Sequence, residues 1–130
     1  MLVQIMIATY DLDFCHIQIY NDYLVVTMNE GITVVPEHQN IMPGLVEQHF
    51  KNKPFVYISN RIHSYSVNPT THLKSSKIEN LIGIAVVSNN TLQKNQTKIE
   101  KAFFSKAFEY FTTMEEALQW KDSMIKNHSH

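Results

Sequence analysis

The run Ile82-Gly83-Ile84-Ala85-Val86-Val87-Ser88 limits the folds open to this chain more than any other segment. Its apolar side chains fall at both odd and even positions, and successive strand residues point to opposite faces, so a strand here needs cover on both sides. The segment therefore reads as a central strand, with Ile84 and Val86 buried between two helix layers. Tyr23-Leu24-Val25-Val26-Thr27-Met28 is nearly as continuous and reads the same way. Phe14–Tyr20 is different. Cys15, Ile17 and Ile19 share one face while Phe14, His16, Gln18 and Tyr20 share the other, the pattern of a half-buried strand.

The remaining elements follow from local signals. Residues 2–8 read as a first strand, and Asn21-Asp22 is the tight turn between 14–20 and 23–28. Over 36–50, Ile41, Leu45 and His49 recur at helical spacing beside Met42, Val46 and Phe50. Pro36 suits the first helical turn, and Pro43-Gly44 predicts a kink or a split. Phe55–Ser59 is a strand and 60–69 a loop ending in Asn68-Pro69, which opens a short helix through about Lys77. After strand 82–88, Asn89-Asn90 leads into a polar helix over 91–104 with Leu92, Ile99 and Phe103 as its buried stripe. Phe108–Phe111 is the last strand. Thr112 and Thr113, each with a Glu three residues on, open a final helix through about Met124. Its inner face is Met114, Ala117, Leu118 and Met124, with Trp120 at the edge.

Leading strands followed by helix–strand units imply an α/β fold: a mixed sheet of about six strands with an N-terminal antiparallel hairpin, covered by about four helices. No repeat, linker or composition shift divides the chain, so residues 1–130 read as one domain, with 125–130 as a frayed tail. A chain of 130 residues buries roughly two-thirds of its unfolded surface and can build a core without staples.

Composition narrows the function classes. Eleven Lys and Arg against twelve Asp and Glu leave a net charge of -1 with no basic stripe, which argues against nucleic acid. The single Cys15 excludes an internal disulfide and favours a reducing compartment. The apolar opening lacks a cationic start and runs into Tyr10-Asp11-Leu12-Asp13, unlike a secretion signal, and no run approaches the ~20 apolar residues of a membrane span. A cytoplasmic protein is expected. The seven histidines show no metal-ligand spacing, so neither a metal nor another cofactor is expected. With Gly31, Gly44 and Gly83 far apart, there is no phosphate-cradling loop and no nucleophile elbow. Glu115-Glu116 is explained by helix capping. These observations favour a non-enzyme.

The order of elements, closing on Phe108-Glu109-Tyr110-Phe111-Thr112-Thr113-Met114-Glu115-Glu116-Ala117-Leu118-Gln119-Trp120, resembles the STAS domain, the anti-sigma-factor-antagonist fold. Phe55-Val56-Tyr57-Ile58-Ser59-Asn60-Arg61 with Ser64-Tyr65-Ser66-Val67-Asn68-Pro69 resembles, more narrowly, small uncharacterised bacterial STAS-like or SpoIIAA-like proteins common in Bacteroidetes. The resemblance implies a regulatory module that binds a protein partner through the 60–69 loop and the next helix. Phosphorylatable members carry an Asp-Ser-Gly type motif at that place. Here Ser64 and Ser66 are the candidates for phosphorylation, without the preceding Asp or the following Gly.

Arg61 is the sole arginine, and it stands at the carboxyl end of a strand, where open α/β sheets place ligand crevices. A guanidinium suits bidentate recognition of carboxylate or phosphate, though a structural ion pair is the rival use. His63, Ser64, Tyr65 and Ser66 share its loop and complete the candidate binding surface. The alternative to a partner-binding module is a small-molecule or lipid binder, SEC14-like, with Arg61 reading an anion. Self-association into a homodimer through a sheet edge is a further expectation.

Overall fold

The computed structural model describes residues 5–63 and 66–128. In chain order the elements are β1 (Ala8–Asp11), β2 (Cys15–Ile19), β3 (Tyr23–Met28), β4 (Thr33–Val34), a 3-10 helix (Pro36–Ile41), α1 (Met42–His49), β5 (Phe55–Asn60), β6 (Ser66–Val67), α2 (Thr71–Ser75), β7 (Leu81–Val87), α3 (Thr91–Lys101), β8 (Ala107–Phe111) and α4 (Met114–His128). Six strands form one mixed sheet in the order β1-β2-β3-β5-β7-β8. β1, β2 and β3 pair antiparallel, as short turns between them require, and β3, β5, β7 and β8 pair parallel through helical crossovers. This is the α/β architecture expected from the sequence.

Every residue of β7 is buried, with Ile84 2% and Val86 0% exposed. On one face Ile17, Leu24, Val26, Phe55, Ile84, Val86 and Phe108 pack in one cluster with Met42 and Leu45 of α1 and with Phe104. On the other, Val25, Val56, Ile58, Ala85 and Val87 meet Ala117, Leu118, Trp120 and Met124 of α4. Gly83 permits that approach. A Cβ built there would lie 2.9 Å from Trp120 Cη2 and 3.6 Å from Met124 Cε, so the missing side chain is what lets the indole lie against β7.

Several boundaries differ from the sequence reading. The first strand is Ala8–Asp11 rather than 2–8: Ile7 N donates to Ile19 O at 2.7 Å just before it, Ile5 and Ile7 are exposed, and 2–4 lie outside the described residues. The expected split in 36–50 comes at Ile41/Met42, which leaves Pro43 in the first turn of α1, where its missing N–H is not needed. The 60–69 loop contains β6, which pairs parallel with β4 as a small second sheet. α4 continues through His128, past the tail expected from 125. Its start is capped as expected. Glu116 N donates to Thr113 Oγ1, and Glu116 Oε1 accepts from the hydroxyls of Thr112 and Thr113.

Helix α3 is the largest correction. Leu92 and Ile99, expected inside, are 74% and 60% exposed, while Gln93, Thr97 and Glu100 are buried. These three polar residues recur at i, i+4 and i+7, so they form a stripe of their own on the helix. Burying them is tolerable because each finds a partner. Thr97 Oγ1 donates to Gln93 O at 2.6 Å, and the side chains of Gln93 and Glu100 both accept from one buried arginine.

Candidate functional site

Arg61 continues the line of β5, its N–H donating to Val87 O at 2.9 Å. It thus stands at the carboxyl ends of the parallel strands, as expected. A depression of about 230 Å³ opens there, lined by Asn60, Arg61, Ile62, Val87, Ser88, Asn89 and Thr112. Asn89 and Asn90 turn the chain from β7 into α3, where Asn90 Oδ1 caps the helix by accepting from Leu92 N at 2.9 Å. Of the residues lining the depression, Arg61 alone is charged.

The guanidinium of Arg61 is directed inward. The residue is 5% exposed, and Nη1 and Nη2 donate to the two carboxylate oxygens of Glu100 at 2.7 and 2.6 Å. Nη1 also donates to Gln93 Oε1 at 2.9 Å, and Nε to Ser59 Oγ at 3.1 Å. His72 Nε2 meets the same Glu100 Oε1 at 2.7 Å, with its ring edge-on to Phe108. Burial by itself would raise the carboxyl pKa of Glu100. The hydrogen bonds and charges of Arg61 and His72 outweigh it and hold the group below its ordinary value of 4.5, so it is ionised where it sits. The cluster joins the end of β5, α2 and α3 in one buried network. Thr71 Oγ1 and His72 Nδ1, also buried, have no hydrogen-bond partner among the described residues.

Of the other residues singled out in the sequence, His63 and Ser66 are exposed, Ser66 on β6 with its N–H donating to Ile32 O at 2.9 Å. Ser64 and Tyr65 lie outside the described residues. The loop is therefore divided: its cation points under α3 and its described polar neighbours face outward. Ile62 is 68% exposed beside them. Cys15 is buried, and desolvation pushes its thiol up to about 11, which suits an inert core side chain.

The sequence reading missed Glu100, Gln93 and His72. Gln93-x3-Thr97-x2-Glu100 is a polar stripe as regular as the apolar stripe of Leu92 and Ile99, and a lone arginine in an otherwise lysine-rich chain is the signal that it has a partner. Lys121 was missed too. It is 1% exposed in the inner stripe of α4, where Nζ meets Asp22 Oδ1 at 3.0 Å and Asp122 Oδ1 at 2.5 Å, 4.8 Å from the centroid of Tyr23.

No protein-family model matches the sequence, and no curated protein does. Among solved structures the chain is similar to the crystal structure of an uncharacterized protein from the DUF3478 family with a SpoIIAA-like fold from Shewanella loihica PV-4. The two share 15% identity at a TM-score of 0.54, over 93% of this chain and 97% of that one. At that identity the likeness concerns the fold, and the fold is SpoIIAA-like. Among the described residues no helix is long and apolar enough to cross a membrane.

Proposed function

We propose that the protein is a non-enzymatic, STAS-type regulatory module that binds a protein partner through the 60–69 segment and α2, with α3 extending the surface. One observation carries this reading. Apart from Ile5, Met6 and Ile7 near the N-terminus, the large apolar side chains exposed among the described residues are Ile62, Leu73, Leu92 and Ile99. They stand on the 60–69 segment, α2 and α3. Fully burying such a side chain contributes roughly 1.5–3 kcal/mol, so exposing four on neighbouring elements is a cost that a partner would remove.

The buried network supports the same reading. Arg61, His72, Gln93 and Glu100 fasten the three presenting elements to one another, and a fixed surface loses less freedom on binding than a loose one. Ser64 and Ser66 remain the residues through which phosphorylation would act. A phosphate adds roughly -1.5 to -2 charges, which opposes docking of an apolar patch. Ser66 is exposed to a kinase.

Photocrosslinking tests the proposal. A benzophenone side chain placed at position 62 or 73 is expected to give a protein adduct in cells, and one placed at position 48 on the outer face of α1 is not. The adduct should disappear in a Leu92→Glu/Ile99→Glu background. Equal labelling at all three positions, or no protein adduct from 62 and 73, would overturn it.

A further inference from the structure

Helix α3 has a second shoulder. About 100° per residue separates successive side chains, so Lys94, Lys98 and Lys101 group on one side of the buried Gln93, Thr97 and Glu100, and Leu92 and Ile99 group on the other. The three lysines border β8, the last strand of the sheet, and together with Phe108, Glu109 and Tyr110 they line a groove of about 120 Å³. Among the described residues β8 pairs with β7 on one side only. Ser88 N donates to Phe111 O, so the backbone of Phe111 faces β7, and by alternation along the strand the N–H and C=O groups of Phe108 and Tyr110 face away from the sheet. Lys101 Nζ reaches across this edge to Glu109 Oε1 at 3.6 Å, both side chains being at least half exposed.

We propose that this edge takes up an extended acidic segment of a partner protein, which adds to β8 as a further strand and sets its carboxylates on Lys94, Lys98 and Lys101. The outward backbone groups supply the ladder, and the lysines supply the choice of sequence. Their spacing fits. Four and three helical residues rise about 6 and 4.5 Å, while every second residue of a strand advances about 6.8 Å, so acids at alternate positions pass one lysine after another. Charge complementarity selects the occupant: with a net charge of -1 for the whole chain, three cations on one short shoulder are a local excess. Glu109 is the internal competitor. Its exposed pair with Lys101 exchanges readily for an incoming carboxylate. The surface lies on the shoulder of α3 opposite Leu92 and Ile99, so it stands or falls apart from the partner-binding reading above.

The test uses two capped eight-residue peptides, alternating Val-Glu and alternating Val-Lys, added to the full chain with amide hydrogen exchange followed by NMR. The Val-Glu peptide is expected to bind and to slow exchange at Phe108 and Tyr110. Lys94→Glu/Lys98→Glu should weaken it roughly tenfold, from two lost attractions and two new repulsions, and Glu109→Gln should strengthen it. All three changes are at exposed positions, and an unchanged amide spectrum elsewhere confirms the fold. Equal binding of Val-Lys, binding that leaves both amides exchanging as before, or no binding of Val-Glu up to millimolar concentration would each overturn the proposal.

Discussion

Arg61 and Glu100 meet as two parallel forks under helix α3, with Nη1 on Oε2 at 2.7 Å and Nη2 on Oε1 at 2.6 Å, although 39 residues separate them in the chain. Both side chains are at most 2% exposed. Removing one partner leaves the other charged and buried, so Glu100→Ala is expected to cost about 3–5 kcal/mol. Arg61→Lys keeps the charge but not the planar fork and is expected to cost about 1–3 kcal/mol. Replacing both, as Arg61→Met/Glu100→Leu, should cost less than the sum of Arg61→Met and Glu100→Ala, because no charge is left buried alone, although Ser59, His72 and Gln93 each lose a partner and keep the recovery partial. Urea denaturation of the two single variants and the double one measures the coupling. Additive losses would show that the pair is not a unit.

The same pair predicts a pH dependence. The carboxyl of Glu100 is held below its ordinary 4.5 in the folded protein, so as pH falls through 4.5 the unfolded chain takes up the proton first. The stability this group contributes is therefore fully present above about pH 4.5, and it is lost progressively as pH drops toward the lower folded value. Unfolding free energies between pH 3 and 6 for the wild type and for Arg61→Met/Glu100→Leu check this. The double variant should show the shallower acid slope, and parallel profiles would contradict the assignment.

Helix α3 gives a test in which two faces of one helix trade roles. Leu92→Gln and Ile99→Gln should each change stability by less than about 0.5 kcal/mol, because both side chains are already in solvent. Gln93→Leu, on the buried side, removes an acceptor of Arg61 and is expected to cost about 1–3 kcal/mol. Thermal unfolding of the three variants decides between this orientation and one with Leu92 inside.

At Gly83 the neighbour of an added methyl is the ring of Trp120. Gly83→Ala should displace the indole and cost about 1–3 kcal/mol through overpacking. The quenching or shift of Trp120 emission on substitution reports the displacement directly, since it is the chain's single tryptophan. Val86→Asp, by contrast, sets an unpaired carboxylate in the centre of the sheet and should prevent folding.

Much of the fold was legible before the structure because it is governed by local periodicity. The two continuous apolar strands, β3 and β7, demand cover on both faces whatever lies around them, and the alternation of Cys15, Ile17 and Ile19 settles which side of β2 is inside. Asn90 and Thr113 announce their helices through bonds that reach two or three residues. The parallel strands that follow need crossovers of helical length, and the sequence supplies them.

The orientation of α3 and the use of Arg61 were decided elsewhere. A helix carrying one apolar and one polar stripe has two possible inner faces, and hydrophobicity alone selects Leu92 and Ile99. What turned it over is a partner on another element: Arg61 at the end of β5 needs a buried anion, and Glu100 meets it together with Gln93 and His72. Propensity, capping and period act over a few residues, so the long strands and the helices were legible in the chain, whereas β4 and β6, two residues each, exist only through their pairing with one another. Which charges are paired inside depends on distant contacts, because the energy of a buried charge is set by what the fold brings within hydrogen-bond distance of it.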